Sequence, residues 1–472
     1  MASPKISSHE LLQHLQKDPD NEELTHKLAA RIDDPTYQDE IEHAFYGTKV
    51  SMYEQWARAT LSQTSAHDGI LLDPHGMKKI LPVDASLLID PSTVSFLFCA
   101  ESGITIKDLN QVLNKANRAL ENMGAYDGQT LAGAISTGTH GTGISLRPIA
   151  SSVRALVLVS ENKTIYQIEP TKGITDPEKL AKAKPDIVLK QDDEWFNSNV
   201  VAMGCMGLIY SYTLDVIPAY YLQEFRVLDN WEGLTSRTGK DCLSSWLADP
   251  KVRHFEVDIN PYAVAGVHSC VKVIRQKSYG PAKGSRGIAN WISGILASCP
   301  VADWLVVHLL NTFPKICPRI LNSALKTLAD NDCVDKSYVV MNIGAVDNVK
   351  AMALEMSFDA TGATTDATNL VNKVNNLLSI FANAATNKKW YLTGPVALRF
   401  VAGSDAYLAP QTGRTTCMAE LDLLVGIRNG EDLLREVKNA VCTKGSGVRV
   451  HWGLDIDTVS AYTDRLGISV PK

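Results

Sequence analysis

The chain has 472 residues, of which 45% are hydrophobic and 21% are charged, and its net charge is −6. This length predicts two domains rather than one core, and the composition is that of a folded globular protein. The mild acidity argues against a nucleic-acid or anionic-membrane partner recognised through bulk charge. Nine cysteines without CxxC spacing predict reduced thiols and a cytoplasmic location.

Residues 1–66 are predicted to form a helical N-terminal segment. Ser7 and Ser8 precede Glu10 in a capping pattern, and apolar residues recur at helical spacing. Gly47 is the only glycine among the first 68 residues. A protein without a basic cluster holds a pyrophosphate with the backbone amides of a glycine-rich loop, and this segment contains no such loop.

Residues 67–220 are predicted to form an α+β domain. HDGILLD and VSFLFCAESG have the composition of strands, and TIKDLNQVLNKANRALENMG is typical of a helix capped by Thr105. The stretch GQTLAGAISTGTHGTG spans Gly128 to Gly143 and places His140 among small residues. Its glycines allow a close approach of the backbone, so both a ligand-binding wall and a simple turn between strands agree with it.

Residues 221–445 are predicted to form a second domain around an antiparallel sheet. RHFEVDINPY and GVHSCVKVIRQ indicate a hairpin, whose period-2 alternation places His254, Glu256 and Asp258 on one face. Further strands are expected at SYVVMNIGAV, NVKAMALEMSF, the segment before RFVAGSD, and MAELDLLVG. Helices are expected at TNLVNKVNNLLSIFANAA and EDLLREVKNAVCTKG.

Residues 279–335 are predicted to be a helical insertion within this second domain. Its apolar run, ANWISGILASCPVADWLVVHLLNTF, is interrupted by Pro300 and Asp303, so no transmembrane segment is expected. Residues 446–472 are predicted to form a C-terminal segment that returns to the active site.

Four motifs resemble segments of the vanillyl-alcohol-oxidase type flavoproteins, in particular the aldonolactone and alditol oxidases. They are GAISTGTHGTG, WFNSNVVAMGCMGLIYSYTLDVIPAY, RFVAGSD and HWG, and they occur in the family's order. The resemblance implies an α+β, two-domain PCMH-type FAD-oxidase-like fold. In this fold an antiparallel-sheet substrate domain stands over the cofactor, and the N-terminal flavin subdomain is here expected to be truncated or remodelled.

The catalytic residues of those oxidases are only partly present. Where the family has Glu-x-Arg, this chain has Ala397 and Arg399, and where the family has HWGK, it has Leu454. Alanine and leucine cannot orient a substrate hydroxyl or stabilise an alkoxide. Because the flavin loop is also missing, a working sugar-lactone oxidase is not the first expectation. FAD-dependent oxidation of an alcohol or sugar lactone remains the alternative.

This combination resembles fungal non-heme iron dioxygenases that look like flavin oxidases without their flavin. They open an anthraquinone ring to a benzophenone acid in polyketide secondary metabolism. The resemblance implies Fe²⁺ held by histidines and a carboxylated lysine, with O2 and a small aromatic substrate as partners. The implied ligands are His67, His140, His268, His451 and Lys389, with His254 and Lys388 as alternatives.

Two further expectations complete this interpretation. Arg399 is the candidate catalytic residue, because its guanidinium can stabilise a developing carboxylate or enolate. A lysine takes up carbon dioxide only when it is neutral, so a lysine ligand must be buried. A catalytically inactive protein that keeps only the fold is a third hypothesis.

Overall fold

The computed structural model describes residues 76–280, 282–283, 300–329, 332–342 and 351–455, and for residues 300–305 only the backbone. The N-terminal helices predicted for residues 1–66, the strand HDGILLD and most of the C-terminal segment lie outside the described residues. Two β-sheets, of six and eight strands, organise the described part of the chain.

The first sheet belongs to the region predicted as the α+β domain. Its strands are β1 Ile80–Leu81, β2 Leu97–Glu101, β4 Val153–Val159, β5 Ile165–Glu169, β6 Ile187–Gln191 and β7 Leu208–Asp215. A separate ribbon pairs β3 Arg118–Ala119 with β8 Ile217–Pro218. The sheet order is β1-β2-β7-β4-β5-β6, and only β5 and β6 run parallel.

Within the described residues, four helices accompany the six-stranded sheet. They are α1 Ile106–Lys115, α2 Leu131–Ser136, α3 Pro177–Ala183 and α4 Asp193–Val200. Thr105 caps α1 by accepting a hydrogen bond from the amide of Asp108, as predicted. Leu109 and Leu113 of α1 are buried in a core that includes Leu156 and Tyr212 from the sheet.

The second sheet contains eight strands, all paired in antiparallel fashion. They are β9 Tyr221–Asn230, β10 His254–Ile259, β11 Ser269–Ser278, β12 Asp332–Lys336, β13 Ala351–Asp359, β14 Val396–Val401, β15 Thr416–Leu424 and β16 Arg449–Val450. Their order is β12-β9-β11-β10-β14-β15-β13-β16. The predicted antiparallel sheet is therefore confirmed, and its central strands come from distant parts of the chain.

Further helices accompany the eight-stranded sheet. They are α5 Trp231–Ser236, α6 Leu243–Ala248, α7 Pro300–Thr312, α8 Cys317–Leu328, α9 Ser337–Met341, α10 Thr368–Lys388 and α11 Gly430–Val441.

The two faces of the eight-stranded sheet differ sharply in polarity. Val257 and Leu398 from the sheet share a core with Phe381 of α10 and Val437 of α11. Since strand side chains alternate, their neighbours along the strands occupy the opposite, polar face.

Two predictions about the second domain can be compared with the structure. SYVVMNIGAV was expected to be a strand, but Ser337–Met341 is a short helix, because an apolar run of this length does not distinguish strand from helix. Among the described residues, no helix is long and apolar enough to cross a membrane.

The segment from Gly128 to Gly143 joins the two sheets. The amide of Gly143 donates to the carbonyl of Phe400 at 2.5 Å, and the amide of Ala402 donates to Leu146. The Thr142 hydroxyl donates to the carbonyl of Phe255 and accepts from the amide of Phe400. The segment is thus bonded to β10 and β14, which carry the polar face.

Gly141 lies where the chain has no room for a side chain. A Cβ at this position would overlap the side-chain oxygen of Asn122 and the carbonyl of Met123. The Gly141→Ala substitution is therefore expected to destabilise the fold by about 1–3 kcal/mol, the usual cost of overpacking. Chemical denaturation of this variant beside Gly280→Ala, whose Cβ meets nothing within 4 Å, tests it. Equal midpoints for the two variants would contradict the prediction.

Candidate active site

The polar face of the eight-stranded sheet carries charged residues on adjacent strands. In the strand register, Glu256 of β10 lies opposite Arg399 of β14. Ala397 of β14 lies opposite Glu420 of β15, and Glu420 lies opposite Glu355 of β13. Side chains that lie directly opposite in an antiparallel pair point to the same face. One guanidinium and three carboxylates therefore meet in the middle of the sheet.

Arg399 is held by these carboxylates. Its Nε lies 3.1 Å from Oε1 of Glu256, and its Nη1 contacts Oε2 of Glu420 and lies 4.0 Å from Oε1 of Glu355. Burial alone would lower the pKa of Arg399, but the charges of Glu420, Glu256 and Glu355 raise it well above its usual value. Arg399 therefore keeps its positive charge, and its main partners are these three carboxylates of the sheet.

The ion pairs continue across the sheet toward β9. Arg275 of β11 donates from Nε to Oε2 of Glu224 at 2.7 Å, and its Nη1 lies 3.3 Å from Oε2 of Glu256. Arg226 contacts the other oxygen of Glu224 at 2.9 Å. Arginines and glutamates thus alternate over five strands, and each buried carboxylate of this row has a cationic partner.

His140 extends the row from the segment that joins the two sheets. Its Nε2 lies 3.1 Å from Oε1 of Glu355, and its Nδ1 lies 2.8 Å from the carbonyl of Gly141. The Gly141 carbonyl and the Glu355 carboxylate both accept hydrogen bonds, so a positive charge is needed between Nε2 and Glu355. Without a bound metal ion, this charge is a proton on Nε2. The negative charge of Glu355 raises the pKa of His140, although burial lowers it.

His451 completes a buried cluster with His140 and Glu355. The two imidazole rings are 5.8 Å apart at their centroids, and the three side chains offer nitrogen and oxygen atoms within 4.8 Å of one another. Nδ1 of His451 accepts from the amide of Gly453 at 3.1 Å, and the ring also bonds to the backbone of Gly138. Burial lowers the pKa of His451 to about 4, so its ring is neutral.

This cluster fits a metal ion only in part. Two imidazoles and one carboxylate are the donor set of many non-heme iron sites. The bond from His140 Nδ1 to a backbone carbonyl would orient Nε2 for a metal, as in many metal sites. Nδ1 of His451, however, accepts from the amide of Gly453, so this nitrogen could bind a metal only after that bond broke.

The structure brings together only two of the predicted metal ligands, His140 and His451. His67 lies outside the described residues. His268 is instead bonded through Nδ1 to Oε1 of Glu232 at 2.5 Å. Glu355 was missed, although it is the only charged residue in the run from Ala351 to Phe358, and that isolation in an apolar strand was the available signal.

Neither predicted lysine lies in the cluster. Lys389 ends α10 in a left-handed conformation, is exposed, and donates from Nζ to the carbonyl of Thr386. Lys388 is also exposed and pairs with Glu436 at 2.5 Å. A lysine binds carbon dioxide only where burial keeps it neutral, so these solvated positions do not provide the carboxylated ligand that was expected.

His254, the alternative ligand, lies beside the same segment. Its Nδ1 lies 2.7 Å from the carbonyl of Thr142, and burial lowers its pKa to about 3. Among the described residues, its Nε2 is buried without a hydrogen-bond partner, and so is the hydroxyl of Thr139. An unpaired buried polar atom costs free energy, so such atoms suit groups that bind a cofactor or substrate.

Asp258 is a half-buried acid on the same face. Burial and the charge of Glu256 raise its pKa to about 7. The folded protein therefore keeps a proton that the unfolded chain releases near pH 4, and stability falls as the pH rises from about 4 to about 7. Asp258→Asn is expected to be more stable than the wild type at pH 8 by on the order of 1–3 kcal/mol, and equally stable below pH 4.

Urea denaturation between pH 4 and pH 8 measures this difference. The exposed Asp186→Asn substitution is the control. A gain from Asp258→Asn that does not change with pH would contradict a protonated Asp258.

Comparisons with known proteins agree with this architecture. A family model described as an FAD binding domain matches residues 46–169, so the match begins within the N-terminal segment. L-gulono-1,4-lactone dehydrogenase from Mycobacterium tuberculosis is 21% identical over 387 residues, which are 82% of this chain and 76% of that protein. L-gulonolactone oxidase from Bos taurus is 31% identical over 163 residues, which are 34% of this chain and 31% of that protein.

Two solved structures share the fold of this chain. A solvent-stable cholesterol oxidase superposes with a TM-score of 0.57 at 16% identity, covering 76% of this chain and 70% of that one. Cholesterol oxidase from B. sterolicum superposes with a TM-score of 0.58 at 14% identity, with the same coverage. The chain therefore has a PCMH-type FAD-oxidase fold, as its motifs predicted.

Proposed function

We propose that the protein is an FAD-dependent oxidoreductase that oxidises a hydroxyl group of an alcohol or sugar lactone. The related proteins named above are lactone oxidases and dehydrogenases, and one of these similarities extends over 82% of the chain. They favour this alternative over the iron-dependent interpretation. The observation that carries the proposal is the position of Glu420 beside Arg399.

Glu420 answers one of the objections to oxidase chemistry, the missing carboxylate at Ala397. The sequence has Ala397 where the related oxidases have a carboxylate two residues before the arginine. Glu420 lies directly opposite Ala397 on the neighbouring strand and contacts Nη1 of Arg399. A carboxylate and a guanidinium therefore remain side by side, although they now come from two strands.

The Glu420 carboxyl group is suited to take up a proton. Burial raises its pKa, and Arg399 only partly offsets this effect. Arg399 contacts Oε2, so Oε1 is the oxygen that would accept the proton of a substrate hydroxyl. Arg399, which keeps its charge, would stabilise the resulting alkoxide.

The residues that would hold the flavin lie along the segment that joins the sheets. Thr139 and His254 each offer a buried polar atom that has no partner in the part of the chain that the structure describes. The protonated His140 adds a positive charge next to them. A bound flavin supplies the hydride acceptor, and the protein supplies the base, the positive charge and a site shielded from water.

Absorbance and metal analysis of the purified protein test the proposal. We expect flavin absorbance, FAD release on denaturation, and oxygen uptake or dye reduction with a lactone or alcohol. Glu420→Gln should retain FAD and lose turnover, whereas Glu436→Gln, at a side chain that is 37% exposed, should retain both. Protein that holds stoichiometric iron and no flavin would overturn the proposal.

A second candidate function rests on the cluster of His140, Glu355 and His451. Its two imidazoles and one carboxylate favour a metal-dependent oxygenase, such as a dioxygenase that opens the ring of an anthraquinone. In this case purified protein would contain about one iron per chain. Loss of that iron in His451→Ala, together with an absence of flavin, would favour this function over the oxidase.

A further inference from the structure

A surface cavity lies among the helices that accompany the eight-stranded sheet, away from the row of ion pairs. It has a volume of about 260 Å³ and lies between the end of α7, the loop after α10 and the loop before α11. Its walls include Leu310, Trp390, Tyr391 and Ile427. A cavity of about 150 Å³ can hold benzene, so this volume suits a ligand of one or two aromatic rings.

The walls of the cavity are fixed by their own contacts. Tyr391 packs against Tyr262 with a ring-centroid distance of 5.3 Å. The hydroxyl oxygen of Tyr262 accepts from the amide of Leu392 at 2.5 Å. On the other side, Asn311 accepts from the amide of Arg428 and donates to the carbonyl of Gly426. The cavity is therefore bordered by anchored segments.

Cationic groups surround this apolar space. Lys388, Lys389 and Arg428 all line the cavity. Lys388 is paired with Glu436, and the Nζ of Lys389 bonds to a backbone carbonyl. Within the described part of the chain, the guanidinium of Arg428 has no hydrogen bond or ion pair, so its charge is available to a ligand.

The N-terminus of α11 adds a second attraction for an anion. Asn429 lines the cavity and precedes this 12-residue helix, and its side chain makes no capping hydrogen bond. The first amides of a helix carry a partial positive charge and bind carboxylates. Glu431 and Asp432 follow in the first turn, but both are exposed.

We propose that this cavity binds an aromatic carboxylate, at a site separate from the active site. The ring packs between Trp390, Tyr391 and the aliphatic side chains, and the carboxylate bonds to Arg428 and lies near Lys389. A planar guanidinium binds a carboxylate through two parallel hydrogen bonds, which selects an anion over a neutral ring. This assignment gives the exposed Lys389 a role outside the catalytic cluster.

Calorimetric titration of the full chain with 2-naphthoate tests the proposal. We expect one binding event, no comparable binding of the neutral 2-naphthalenemethanol, and weaker binding of hexanoate. Arg428→Gln should weaken naphthoate binding by about tenfold or more, because a charge-assisted hydrogen bond is lost. Lys389→Gln should weaken it less, and the exposed Lys240→Gln should leave it unchanged.

Three outcomes would overturn this site. They are the absence of naphthoate binding, unchanged binding in Arg428→Gln, and equal binding of the neutral alcohol. Loss of binding in Glu420→Gln but not in Arg428→Gln would place the ligand in the active site instead. Since binding is measured without turnover, this test stands even if the chain proves not to be an FAD-dependent oxidase.

Discussion

Glu355→Gln is expected to lower turnover by about 10²–10³-fold, the usual effect of removing one preorganised charge from an active site. Glu355 is 2% exposed and is the anionic partner of His140. Without this carboxylate the buried imidazole has no counter-charge and becomes neutral. The positive charge beside the proposed cofactor position is then lost.

The same substitution should also reduce stability. Burial would raise the pKa of Glu355, but the charge and hydrogen bond of His140 and the charge of Arg399 lower it to about 2, so the carboxylate is strongly bound in the folded protein. Loss of its charge-assisted hydrogen bond to His140 is expected to cost about 1.5–3 kcal/mol. Steady-state kinetics and urea denaturation measure the two effects.

Glu436→Gln is the matched control for this prediction. Its carboxylate pairs with Lys388 at the surface, and exposed pairs contribute about 0–1 kcal/mol. If Glu355→Gln matches this control in both turnover and stability, Glu355 is not part of the site. Retention of flavin together with loss of turnover would agree with the oxidase, and release of bound iron would agree with the second candidate.

Arg399→Met is expected to destabilise the fold by about 3–5 kcal/mol and to abolish turnover. Arg399 is the shared cation of Glu256, Glu420 and Glu355. Methionine fills a similar volume but leaves three buried carboxylates without this partner. Their repulsion should raise carboxyl pKa values, so the loss of stability should shrink as the pH falls toward 4.

A second substitution separates charge from packing. The double variant Arg399→Met with Glu420→Gln lacks one of the three carboxylates that Arg399→Met leaves without this partner. It should therefore regain part of the stability that Arg399→Met alone loses. Arg237→Met, which removes an arginine with 38% exposed side chain from its pair with Asp229, should cost about 1 kcal/mol or less. Equal midpoints for Arg399→Met and Arg237→Met would show that the row of ion pairs does not depend on Arg399.

Several local features of the fold follow from the sequence. The helix after Thr105, the long helix α10 and the helix α11 appear where apolar residues recur at helical spacing. The alternation in RHFEVDINPY correctly placed His254, Glu256 and Asp258 on one face of a strand. These signals depend on neighbours along the chain, which a single sequence displays directly.

The composition of the active site could not be predicted in the same way. Glu420 stands beside Arg399 because β14 and β15 pair in one particular register. Glu355 meets His140 across 215 residues of chain, and nothing near either residue indicates this contact. The prediction of Lys389 as a ligand used its position before β14, but the left-handed end of α10 leaves this side chain in solvent.

The sequence by itself determined the PCMH-type FAD-oxidase fold and the central place of His140 and His451, because these depend on motifs and local periodicity. Only the tertiary structure decided which carboxylates serve the site, since strand pairing brings together residues that are far apart in the chain. It also placed the carboxylate of Glu420, from the neighbouring strand, opposite Ala397 and beside Arg399. Side-chain chemistry at one position is therefore a weaker guide to function than the set of charges that the sheet brings together.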